Sequence, residues 1–153
     1  MDTDQLISQL GSPDIEVGAL CFWIHGRQFP TAADSWDANW VQATVLCGGE
    51  GANVWVSGPI LHLSELKRWV DDCEELHHTL AGRADLKCLE PNLAVQMVMT
   101  KTGQIDVQVS ITADNVRQAH HFKFTIDQSY LPGLIQGGRA VLEKFPIHEE
   151  AHT

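Results

Sequence analysis

The sequence predicts an α+β fold: a mainly antiparallel β-sheet of about seven or eight strands with two helices, near residues 63–81 and 128–143. Three observations carry this. Residues 93–100 and 105–112 alternate apolar with polar, the period of a strand. Leu63, Leu66, Val70, Cys73, His77 and Leu80 recur at steps of three and four, giving one helical apolar stripe. Short turns join the strands, so neighbours pair antiparallel and the helices pack on one face.

The elements follow in order. Residues 14–25 read as one strand, with Ile15, Val17, Ala19, Cys21 and Trp23 on one face and Leu20, Phe22 and Ile24 on the other. Gly26-Arg27-Gln28-Phe29-Pro30 breaks it. Strands at 39–47 and 52–57, joined by Gly48-Gly49-Glu50-Gly51, read as a hairpin. The first helix ends with Gly82 as its C′ residue, and Trp69 and Leu76 widen its stripe. A short strand at 84–90 precedes the alternating pair, which turns at Thr102-Gly103. After Asp114-Asn115, residues 119–126 turn His120, Phe122, Phe124 and Ile126 inward. Asp127 caps the final helix, and Pro132 sits harmlessly in its first turn. Gly137-Gly138 weakens that helix and allows a close helix–sheet approach. Strands then helix, twice over, hint at a repeated strand–strand–strand–helix unit.

With 153 residues, one domain (1–153) is expected, with 1–13 and 147–153 as loose termini. Such a domain buries roughly 70% of its unfolded surface and needs no staples. The net charge of −10 argues against nucleic acid, whose binders neutralise phosphates with Lys and Arg; solubility is the first reading of it, and a basic partner is compatible with it. Cys21, Cys47, Cys73 and Cys88 lie in apolar runs without the close pairs of a zinc site, so they read as buried free thiols of a reducing compartment. No signal peptide and no run of about 18 apolar residues is read, so the expected location is the cytoplasm and no membrane is involved.

Candidate chemistry is sparse. His148-Glu149-Glu150-Ala151-His152 matches HExxH, in which two histidines one helical turn apart hold zinc and the Glu activates water. Its place in the C-terminal tail, outside any amphipathic helix, makes a chance match the expectation. His77 and His78 diverge by about 100° on a helix, and His120 and His121 point to opposite faces of a strand. His77, on the apolar stripe, reads as a core-edge residue. Neither a nucleophile elbow nor a phosphate-cradling glycine loop occurs, and Ser64 reads as a helix N-cap or first-turn residue. No metal and no cofactor is expected. Asp37 and Asn39 before Trp40 read as Asx residues setting a loop into a strand, with Trp40 buried. Pro91 kinks the chain between two strands, with Glu90 and Asn92 supplying hydrogen bonds. A buried Glu90 is the best lone candidate for acid–base work.

A spaced set of motifs carries further. Gly26-Arg27-Gln28-Phe29-Pro30 is followed by Asp37-Ala38-Asn39-Trp40, Trp55-Val56-Ser57-Gly58-Pro59, Leu63-Ser64-Glu65-Leu66 with Trp69-Val70, Leu89-Glu90-Pro91-Asn92-Leu93 and Phe145-Pro146. In order and spacing, over about residues 26–146, this set resembles the immunity-protein family that accompanies the wall-associated WapA toxin, the WapI-type family. Arg27 stands where an aromatic residue is expected, and the Trp55–Pro59 segment is one residue short. These departures bear on the partner more than on the fold.

The resemblance implies a non-catalytic binding protein that neutralises a toxin domain carried on a large secreted protein; for the named toxin the activity blocked is cleavage of tRNA. Opposite potentials would speed encounter with a basic nuclease. Immunity surfaces vary with their partner, so Phe29, Pro30, Asp37, Asn39, Trp40, Glu90, Pro91, Asn92, Phe145 and Pro146 are expected to be scaffold. The interface is expected on the acidic helix face (Asp71, Asp72, Glu74, Glu75) or on the wet sheet face (Asp106, Gln108, with Ser110 and Lys123). Two rival readings stand: a small-molecule-binding protein or hydrolase using Glu90 with a nearby His, and a homo-oligomeric subunit, such as a homodimer, joined at a sheet edge. An enzyme should show a deep pocket of converging polar groups, and an inhibitor an exposed, charge-biased face.

Overall fold

The computed structural model of the chain describes residues 1–149. In chain order it contains α1 (Thr3–Leu10), β1 (Ile15–Val17), β2 (Leu20–Arg27), α2 (Ser35–Ala38), β3 (Trp40–Gly49), β4 (Ala52–His62), α3 (Leu63–Thr79), β5 (Arg83–Lys87), β6 (Leu93–Met99), β7 (Gln104–Ile111), β8 (His121–Asp127) and α4 (Leu131–Lys144). A 3-10 turn at Gln128–Tyr130 leads into α4, and it is this turn that Asp127 caps, through the Ser129 N–H at 2.9 Å.

The strands form two antiparallel four-stranded sheets, β1-β2-β3-β4 and β5-β6-β7-β8. The predicted α+β architecture stands, with α3 and α4 as the two long helices and α1 and α2 as additions. Each sheet is a meander followed by a long helix, so the half-on-half pattern is real but carries four strands per half. One buried cluster spans both halves: Phe22, Val45 and Leu61 from the first sheet, Val95, Met97 and Val107 from the second, and Leu66, Trp69, Leu134 and Val141 from the helices. Trp69 tilts against Phe22 at 5.6 Å between ring centres. α3 packs on α4 and β5, and α4 packs on β1.

Several elements depart from the sequence reading. The strand read at 14–25 is a tight hairpin. Gly18, at φ 56, supplies the left-handed turn conformation that a two-residue hairpin loop needs. The fold-back pairs Ile15 with Phe22 and Val17 with Leu20, which puts Ile15 and Val17 on the face first given to Leu20. β4 runs to His62, well beyond residue 57. A bulge opposite Val41 and Ala43 absorbs Gly58 and Pro59, and β4 is an edge strand, where a missing N–H is tolerated. β5 ends at Lys87, so residues 88–92 are a connection.

α3 closes on Leu80, left-handed at φ 55, two residues before the glycine expected there. Its buried stripe drifts to Leu76, which leaves His77 exposed instead of at the core edge. The N-terminus, read as loose, forms α1: Asp2 and Gln5 make a capping box, Leu6 is buried, and the Trp23 indole donates to the Gly11 carbonyl at 3.0 Å. Ile147, also read as part of a loose end, packs on the core.

All four cysteines are free thiols. Burial, with Glu16 adding its charge, pushes Cys21 up to about 11. Burial pushes Cys73 up to about 12, with Asp72 contributing, so these thiols are poor nucleophiles. Among the described residues no helix is long and apolar enough to cross a membrane, and no group of His, Cys, Asp and Glu is placed to hold a metal ion.

The paired glycines of α4 are contact points. A Cβ on Gly137 would lie 2.5 Å from the Asp14 carbonyl oxygen, and one on Gly138 would lie 2.3 Å from a Val70 methyl on α3. Neither neighbour is a flexible side-chain end. In an unconstrained helix Gly→Ala stabilises by roughly 0.5–1 kcal/mol. Here overpacking reverses the sign, and Gly137→Ala and Gly138→Ala should each destabilise by about 1–3 kcal/mol in urea unfolding.

Candidate functional site

The family-like motifs converge at the start of α3. His62 is its N-cap, not Ser64, and is almost fully buried. The His62 Nδ1 accepts from the Ser64 N–H at 3.2 Å and its Nε2–H donates to the Trp36 carbonyl at 2.9 Å, which fixes the ring as the Nε2–H tautomer. Glu65 completes the cap. One of its carboxylate oxygens accepts from the His62 N–H at 2.9 Å and the other from the Leu89 N–H at 2.6 Å. A single side chain thus fastens the first sheet, α3 and the β5–β6 connection together.

Asn39 plays the matching part for the C-terminal segment. Its Oδ1 accepts from the His148 N–H at 2.8 Å, and its Nδ2 donates to the His148 carbonyl at 2.9 Å and to the Ser35 carbonyl. The amide behaves as a further strand would toward the backbone of His148. Arg27 adds a second fastening, donating to the Ala38 carbonyl at 2.7 Å and to the Pro146 carbonyl. An aromatic residue at 27 would make neither bond. Asn92 extends the β6–β7 ladder by one step: its backbone carbonyl accepts from the Thr112 N–H at 2.9 Å and its side-chain Nδ2 donates to the Thr112 carbonyl at 3.0 Å.

An aromatic group sits on this base. Trp36 stacks on His62 at 4.3 Å with planes 24° apart, and Trp40 meets both rings edge-on, at 5.7 Å and 5.0 Å. Trp40 is buried, whereas Trp36 is 50% exposed. Asp34 caps α2, accepting from the Trp36 N–H at 2.6 Å. An open groove of about 520 Å³ runs past Trp36, Asn39, His62, Ser64, His148 and Glu149.

The scaffold expectation divides. Asn39 and Trp40 are buried, Phe145 packs against the core, and Asn92 and Pro146 take part in backbone fastening. Asp37 is exposed within α2; the Asx role assigned to it belongs to Asp34 and Asn39. Phe29 and Pro30 lie on the surface, as does Pro91. Glu90 is half-buried, and among the described residues its side chain makes no hydrogen bond, so neither the bond expected of it nor a histidine partner is present. Of HExxH, the Glu150, Ala151 and His152 positions lie outside the described residues.

The expected interface residues are also dispersed. On α3, Asp71 bonds Lys67 at 2.6 Å and Arg139 of α4 at 2.7 Å, and Glu74 pairs with Arg139. Those carboxylates hold two helices together, while Asp72 and Glu75 point to solvent. On the outer face of the second sheet, Asp106 and Gln108 line a hollow of about 400 Å³ with Gln96, Val98 and Lys123. Asp106 accepts from Thr125 at 3.3 Å, and Ser110 bonds His121 at 3.0 Å. Charge of both signs lines this hollow. His62, Asp34 and Trp36 did not emerge from the sequence, and Glu65 emerged only as part of a family-like motif, without its capping role. A Glu three residues after a cap was the available signal, but the usual capping box begins with Ser or Thr, not His.

Asn39→Asp keeps the acceptor for His148 but sets a carboxylate oxygen against two carbonyls. Urea unfolding should show a loss of about 1–3 kcal/mol, and hydrogen exchange at the His148 amide should accelerate. For Asp71, burial raises the pKa, but hydrogen bonds from Lys67 and Arg139, then their charges, outweigh it and hold the carboxyl below 3.8. The pairing therefore contributes stability above the unfolded value and loses it as pH falls through the lower folded one. Asp71→Asn should be less stable than the parent at about pH 7 and indistinguishable from it at about pH 2, with a gap under about 1 kcal/mol because the pair is exposed.

Neither a curated protein nor a solved structure matches the chain. The family model described as "Immunity protein WapI-like family" matches residues 10–146, a span that holds every motif assembled around α3 as well as both sheets. The chain belongs to the WapI-like immunity protein family.

Proposed function

We propose that this chain is a cytoplasmic antidote that binds a cognate toxin domain directly and blocks it by occlusion, without catalysis. The toxin domain is basic and of the nuclease class. The observation that carries the reading is the family match over residues 10–146. The net charge of −10 supports a basic partner, because opposite potentials raise the encounter rate. Fastening of the family motifs to backbone supports a rigid binder, since a preorganised surface loses little entropy on association.

A rescue assay tests the reading. The C-terminal domain of any large secreted protein encoded beside this gene is expressed in a sensitive host with and without this chain. Survival restored only by this chain is expected; equal killing in both overturns the proposal. A titration of the purified toxin domain separates occlusion from catalysis. Toxin activity should fall linearly and vanish at equimolar antidote, and full protection far below that ratio would mean turnover.

A further inference from the structure

We propose that the toxin-docking centre is the groove at the start of α3, with Trp36 as its anchor and a Lys or Arg side chain of the basic toxin domain as its occupant. This rests on the antidote reading and adds the place and chemistry of contact. Trp36 is 50% exposed yet held on two sides: one ring face lies on His62 and Trp40 abuts it edge-on. A half-exposed indole with a fixed orientation loses little rotamer freedom on binding, and Trp is the strongest aromatic acceptor of a cation. The groove beside it carries Glu149, and Asp34 and Asp37 flank Trp36 in sequence. The nearby cation, Arg27, is turned inward and fastened to the Ala38 and Pro146 carbonyls. The surface therefore presents an aromatic face with surplus negative charge.

Two exposed apolar side chains sit on backbone tied to residues of the same fastening. Phe29 is 46% exposed and follows Gln28, whose N–H donates to the Trp40 carbonyl at 2.8 Å. Leu89 is 66% exposed, and its own N–H is held by Glu65. The other candidate surfaces offer less. The acidic face of α3 has Asp71 and Glu74 already paired with Lys67 and Arg139, and the outer sheet face carries charge of both signs, with its aromatic lining residue, Phe124, packed against the core.

The test measures affinity calorimetrically between the full chain and the C-terminal toxin domain used for rescue. Trp36→Ala should weaken binding about thirtyfold or more, the size expected of a buried aromatic anchor. The double variant Asp37→Lys with Glu149→Lys alters exposed carboxylates only, so it decides the question if Trp36→Ala melts early. It should weaken binding and flatten the salt dependence of the affinity. Unchanged affinity in both, with loss on charge reversal of Asp72 and Glu75 or of Asp106, moves the interface elsewhere and overturns the proposal while the antidote reading stands. A homodimer that dissociates on Trp36→Ala gives the groove to a second copy and likewise overturns it. Failure of the parent chain to bind removes the antidote reading and this inference together.

Discussion

Glu65 is the constraint on which the architecture turns. Its two carboxylate oxygens are divided between the N–H groups of His62 and Leu89, one at the exit of the first sheet and one in the connection between the first two strands of the second. A helix start leaves backbone N–H groups without intrahelical partners. By filling that need with one oxygen and reaching across with the other, Glu65 makes helix capping and the joining of the halves a single event. Hydrogen bonds to a charged acceptor are stronger than neutral ones, which suits a joint that carries two segments.

The asparagines extend this logic. Asn39 offers a donor and an acceptor to a backbone that has no strand beside it, and Asn92 adds a side-chain donor just past the last β6–β7 pair, so both hold the chain where sheet pairing runs out. The helices supply the complementary apolar side. Gly137 and Gly138 let α4 come within contact of Asp14 and of Val70 on α3, and Arg139, the next residue, pairs with Asp71 and Glu74 across the same seam. Close approach and ion pairing along that seam are thus set by three adjacent positions.

What was legible in the sequence was whatever depends on period and punctuation. The alternation through β6 and β7, the stripe of α3, and Pro132 at the head of α4 all state local geometry. The hairpin at Gly18 was hidden because its first arm is only three residues long and its second is apolar on both faces over Leu20–Ile24, so no change of period marked the fold-back. β4 hid its length behind Gly58 and Pro59, which read as a stop in sequence but are accommodated by a bulge on an edge strand. Of the site, the motifs were visible but their meeting was not. His62 and Leu89 are brought together by Glu65, and Asn39 and His148 are 109 residues apart. Such a meeting is a property of tertiary structure, and only the family resemblance pointed toward it. The acidic run on α3 misled in the opposite sense: a charge-rich face in sequence is partly an internal seam once Arg139 arrives from α4.

The two closures by Asn39 and Arg27 span 109 and 119 residues, which bears on the order in which the molecule is built. Each meander consists of hairpins that close locally, and local contacts form fastest. A chain emerging from the ribosome exposes Asn39 and Arg27 long before Pro146 and His148 exist to meet them. The wall of the groove that His148 and Glu149 provide is therefore assembled after both sheets. A nascent chain that has not yet reached His148 would carry most of the sheet structure and present only part of that groove.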